Sequence, residues 1–131
     1  MYIPPGFNTV APYFFVRNAQ GFVEFLVNGL GGTETCRTMR PDGNIANVQV
    51  RFGTSTVMVS EASERYGPMC SSYYLYVESA ESSLQRALAH GTTLEMAVTD
   101  MPYGDRQGGV RDHWGNIWWL SQRIMQEPYS P

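Results

Sequence analysis

Apolar and aromatic positions fall into short runs, separated by amphipathic stretches and glycine-marked turns. Tyr13-Phe14-Phe15-Val16 is continuous and short, as a strand buried on both faces would be. Asn18 follows as a helix N-cap. Over residues 19–30, Phe22, Val23, Phe25, Leu26 and Leu30 recur at helical spacing, and Gly31-Gly32 ends the helix. Residues 33–37 resume as a strand. From Tyr74 the order repeats. Tyr74-Leu75-Tyr76-Val77 reads as a strand, Ser79 as a cap, and Leu84, Ala87 and Leu88 as the buried stripe of a helix ended by His90-Gly91. Residues 93–98 resume as a strand. Two more strands complete each stretch. The first pair, 46–52 and 56–60, turns at Gly53-Thr54-Ser55; the second, 106–111 and 116–122, turns at Asp112-His113-Trp114-Gly115.

The two stretches superpose at an offset of 61, which matches Tyr13 to Tyr74, Val16 to Val77, Ala19 to Ala80 and Glu34 to Glu95. Agreement of caps, helix and strands in one order marks an internal repeat. The expected fold is a single α+β domain of two tandem β-α-β-β-β units. The first unit spans residues 8–60 and the second 72–123, with a linker at 61–71 and a loose tail at 124–131.

Composition narrows the chemistry. A length of 131 residues fits one sizeable core, and a net charge of −3 without a basic patch argues against nucleic acid. All nine basic residues are Arg, which excludes a lysine Schiff base, a P-loop lysine and a lysine general base. No G-x-S-x-G elbow is present. The opening residues lack the basic and apolar regions of an export signal, and no run approaches the roughly 20 apolar residues of a membrane span. Two cysteines, Cys36 and Cys70, do not make a disulfide framework, so a reduced, cytoplasmic setting is expected.

Four pieces of sequence carry a resemblance. They are Ala11-Pro12-Tyr13-Phe14, Arg40-Pro41-Asp42-Gly43-Asn44-Ile45, Tyr103-Gly104-Asp105-Arg106, and Arg111-Asp112-His113-Trp114-Gly115-Asn116-Ile117-Trp118. Together with the tandem repeat, they make the chain resemble the vicinal oxygen chelate superfamily of glyoxalases, bleomycin-resistance proteins and extradiol dioxygenases, in its PhnB-like branch. The resemblance implies an open, cup-shaped mixed sheet with helices outside and ligand inside, in a homodimer. It also implies divalent-metal ligands on the first and last strand of each unit. Those positions fall on Ala11, Met58, Ser72 and Trp119, none of which is an ordinary ligand. The two histidines, His90 at a helix end and His113 in a turn, read as surface or capping residues. No metal and no cofactor are therefore expected.

Strand alternation then nominates a ligand cavity lined by Tyr13, Phe15, Asn47, Gln49, Met58, Ser72, Tyr74, Arg106 and Trp119. Arg106 has a competing role as the ion-pair partner of a loop carboxylate such as Asp105. The reading that follows is a metal-free, bleomycin-resistance-like protein whose partners are a small aromatic or cationic molecule and a second copy of itself, without nucleic acid or membrane. Two alternatives stand beside it. One is a metal-dependent lyase, isomerase or dioxygenase of the same superfamily. The other is a protein-interaction module that packs its aromatic face on another chain.

Overall fold

The computed structural model describes residues 1–130. The chain divides into two compact units, one of residues 1–70 and one from Ser71 onward. In the first unit β1 (Tyr13–Val16) leads into α1 (Ala19–Glu24), whose last turn widens into a π-helical turn, Phe25–Gly29. Then come β2 (Thr33–Met39), β3 (Ile45–Phe52) and β4 (Ser55–Glu61). The strand order is β1-β4-β3-β2, with β1 parallel to β4 and the other pairs antiparallel. Alternation separates two faces. Phe14, Val16, Val48, Val50, Val57 and Val59 point toward the helix and are buried with Phe22, Val23 and Leu26. The Phe14 and Phe22 rings lie 4.9 Å apart. Asn18 caps the helix by accepting the Gly21 N–H at 3.2 Å. Glu61, at the end of β4, accepts the N–H groups of Asn18 and Ala19 at 3.1 and 2.8 Å, where the helix dipole favours a carboxylate.

The second unit repeats the plan with β5 (Ser72–Tyr76), α2 (Ala80–Ala89), β6 (Thr93–Asp100), β7 (Asp105–Arg111) and β8 (Ile117–Arg123), in the order β5-β8-β7-β6. Ala80, Leu84 and Ala87 of α2 are buried, as are Val110, Trp118 and Leu120 of the sheet. Leu75 and Val77 are half-buried. Gln122 accepts the Ala80 N–H at 3.1 Å, the role Glu61 has in the first unit. The β7–β8 turn is organised by Asp112. Its carboxylate accepts the Trp114 and Asn116 N–H groups at 2.9 Å, the Asn116 side-chain amide at 3.0 Å and the Trp118 indole N–H at 2.9 Å.

The repeat is real, but its offset is not constant. Tyr13↔Met58 and Tyr74↔Trp119 are equivalent pairs 61 apart, and both helices start 61 apart. The helix-ending glycines, Gly31 and Gly91, have φ of 83° and 90° and stand only 60 apart. The π turn holds the extra residue, with the Leu30 N–H bonded to the Phe25 carbonyl five residues back. Through the next hairpin the offset stays 60. Thr33↔Arg51 answers to Thr93↔Arg111, and the first interruption of each hairpin falls at the equivalent place, Glu34/Cys36 and Leu94/Met96. The Asp112 turn is one residue longer than its counterpart and restores 61 on β8. Glu34 therefore corresponds to Leu94, and its match to Glu95 is a coincidence of residue type.

The linker and the tail are more ordered than their composition suggests. Glu61 belongs to β4, the Ala62 and Met69 N–H groups bond to β1 carbonyls, and Tyr66 lies 5.6 Å from the Phe15 ring. Residues 124–129 fold back onto the second unit through Ile124 and Tyr129. Among the described residues, no helix is long and apolar enough to cross a membrane.

Candidate functional site

Each sheet has a second face, turned away from its helix. In the first unit this open face carries Tyr13, Phe15, Asn47, Gln49 and Met58, with Tyr13, Met58 and Gln49 side by side across β1, β4 and β3. The Tyr13 and Phe15 rings lie 4.8 Å apart, tilted by 58° to each other. Ser60 Oγ donates to the Ala46 carbonyl at 2.6 Å, so the Tyr13 hydroxyl must donate to Ser60, at 2.7 Å. The amino-terminal segment runs past this face. Thr56 donates to the Gly6 carbonyl at 2.7 Å, and a hollow of about 620 Å³ is lined by Tyr2, Pro4, Phe7, Ala11, Gln49 and Met58 among others. Two of the five residues nominated in this unit, Gln49 and Met58, thus border one hollow.

In the second unit Ser72, Tyr74 and Trp119 share the open face. Trp119 lies over Gly109, where an added Cβ would stand 2.8 Å from the indole ring; only glycine leaves room there. Arg106 is on the other face. It pairs across the sheet with Gln122, which caps the helix, and its guanidinium bonds the exposed Asp100 at the end of β6 at 2.7 Å. That bond holds the Asp100 carboxyl below the usual carboxylate range. Asp105 is instead the partner of Arg123, at 3.1 Å. The sequence left the side of Arg106 open because the strand's parity depends on the hairpin register, and that register shifts by one residue between the units.

The densest chemistry lies around Asp105, which strand reading considered only as a partner for Arg106. Asp105 has no exposed surface. Its Oδ2 accepts the hydroxyls of Tyr74 at 2.6 Å, Tyr76 at 2.9 Å and Tyr129. Burial of the Tyr74 hydroxyl, and then its bond to this carboxylate, push its pKa far above the ordinary tyrosine value. Tyr103 donates to the Gln107 side chain, whose amide donates to Ser121 at 3.0 Å. The corresponding position in the first unit, 60 earlier, is Ile45, so the acidic centre exists in one unit only. The sequence signal was available. Asp105 and Gln107 alternate on β7 toward the face of Tyr74 and Tyr76, and the Tyr-Gly-Asp-Arg piece marks the start of that strand.

The donor set does not suit a divalent metal. The positions implied by the family resemblance offer a methyl and a thioether in the first unit, and a hydroxyl and an indole in the second. Among the described residues, no three His, Cys, Asp or Glu side chains gather as a metal site. His90 Nδ1 sits 2.9 Å from the Arg86 carbonyl, and His113 packs near Gly91.

Paired β-α-β-β-β units with an open, aromatic sheet face define the glyoxalase/bleomycin-resistance fold, and solved structures of that superfamily share it. TioX from Micromonospora sp. ML1 superposes with a TM-score of 0.71 at 24% identity, covering 88% of this chain and 99% of its own. TnmS3, an antibiotic binding protein from Streptomyces sp. CB03234, gives 0.71 at 18% identity over 94% of this chain and 98% of its own. A member of the glyoxalase/bleomycin resistance protein/dioxygenase superfamily from Sphaerobacter thermophilus gives 0.70 at 19%, over 94% and 100%. An uncharacterised protein of Mycobacterium tuberculosis H37Rv is 27% identical over 128 residues, spanning 89% of this chain and 75% of its own. No family model matches the sequence.

Proposed function

We propose that this protein binds a small, partly aromatic or cationic molecule on the open faces of its sheets, without a metal and as a homodimer, in the manner of the PhnB-like branch. The observation that carries the reading is the make-up of those faces. Tyr13, Phe15 and Met58 in one unit, and Tyr74 and Trp119 in the other, offer flat and polarisable surface. Gln49, Asn47 and Ser72 supply the few polar groups a small-molecule site uses for orientation. The likeness to an antibiotic binding protein of the same fold lends support.

A calorimetric and thermal-shift screen of aromatic and cationic compounds tests this. At least one compound should saturate, and should lose most of its affinity when the aromatic residue of the face that holds it, Trp119 or Tyr13, becomes Ala. A screen without a saturable compound counts against the reading. Stoichiometric metal retained through dialysis of untagged protein would instead favour a metal-dependent lyase, isomerase or dioxygenase. Light scattering on the eluted protein should give twice the chain mass.

A further inference from the structure

The tail places a phenol of the protein itself on the acidic centre of the second unit. Tyr129 donates to Asp105 Oδ2, its ring lies 4.3 Å under the Arg123 guanidinium, and the Tyr103 ring is 6.3 Å away. The approach is fixed upstream, where the Ile124 N–H bonds the Gly104 carbonyl at 3.0 Å and Arg123 bonds the Glu127 carbonyl at 2.5 Å. Beyond Glu127 the hold is slight. The Tyr129 side chain buries little apolar area, and 53% of the residue is exposed.

The carboxylate makes that third phenol replaceable. One carboxylate oxygen has two lone pairs, and Oδ2 is already an acceptor for Tyr74 and Tyr76, which reach it from β5 across β8. Those two donors are set by the sheet and Arg123 neutralises the charge, so Asp105 stays satisfied when the Tyr129 hydroxyl leaves. What remains is a seat with a hydroxyl acceptor at its base, a guanidinium over the ring position and an aromatic side wall.

We infer that this seat is a binding subsite for small phenols, occupied in the resting protein by Tyr129, and that a phenolic ligand binds by displacing the tail. The inference rests on the binding reading above and specifies the ligand's class. A docked tail lowers apparent affinity by the fraction of molecules in which the seat is free. The probe is 4-methylphenol, titrated calorimetrically into the full chain and its Tyr129→Ala variant, with 4-methylanisole as the matched ether that cannot donate. The phenol should bind Y129A at least about tenfold tighter than the parent. The ether should bind both weakly and alike, and Asp105→Asn should remove the preference for phenol over ether. Equal phenol affinity in parent and Y129A overturns the displacement, and so does ether binding as tight as phenol, whether or not D105N folds. If phenol fails while another aromatic compound saturates the parent, this inference falls and the broader reading stands. If no compound saturates either protein, both fall.

Discussion

Asp112 and Asp105 are both buried carboxylates, but their partners give them different work. Asp112 takes four donors from its own turn and the adjacent strand, and no ligand can reach it without dismantling that turn. Asp112→Ala should cost about 3 kcal/mol or more in urea unfolding, because the Trp118 indole and the Asn116 amide would be buried without acceptors. Asp105 takes two phenol hydroxyls from the face itself and a third from the tail. That setting makes Tyr74 a titration marker. Its raised pKa means the folded state favours the neutral phenol. The stability it confers is fully present below about pH 10, the unfolded value, and is lost as pH rises further. Unfolding free energies of the parent and Tyr74→Phe should therefore differ by a constant amount up to that point and converge above it. A difference that grows with alkalinity would contradict the assignment.

Among the elements, α1 together with its π turn Phe25–Gly29 is one residue longer than α2, and the π turn holds the difference. Deleting Asn28, which is exposed, should let α1 close as an ordinary helix like α2, with a loss of no more than about 2 kcal/mol by thermal unfolding. Deleting Val23, in the buried stripe of α1, should unfold the chain. The strands, helices and caps were legible in the sequence because each is declared locally: apolar runs, Asn18 and Ser79, and the glycines after each helix. The slip from 61 to 60 was not, because a single inserted residue inside a helix leaves the amphipathic pattern nearly unchanged. That slip carried the rest of the difficulty. Residues on β1, β4, β5 and β8, such as Tyr13, Met58, Tyr74 and Trp119, could be given a face from the repeat. On β7 the face depends on hairpin register, so Arg106 was drawn to the open side and Asp105 to the wrong partner. The docking of Tyr129 had no local signal at all, since it depends on a contact with a strand 24 residues earlier.

At the scale of the whole molecule, stability comes from two small apolar layers, each between one helix and one sheet, and no ligating cluster is found among the described residues. Exhaustive dialysis against a strong chelator should leave the thermal midpoint unchanged; a fall of several degrees would mean that an ion contributes to folding. Each sheet also has a long strand at one border, β2 or β6, hydrogen-bonded on one side only within its sheet and exposed along most of its length. Such a strand is a template on which another chain can polymerise. Both carry the same interruption, at Thr35 and at Glu95, and both carry charge beside it, the Glu34–Arg37 pair at 2.8 Å and the Glu95–Arg111 pair at 2.9 Å. A ladder broken in its first turns offers no uniform rail for a passing strand. The bulges that the two units share thus also protect the protein from filamentous self-association at high concentration.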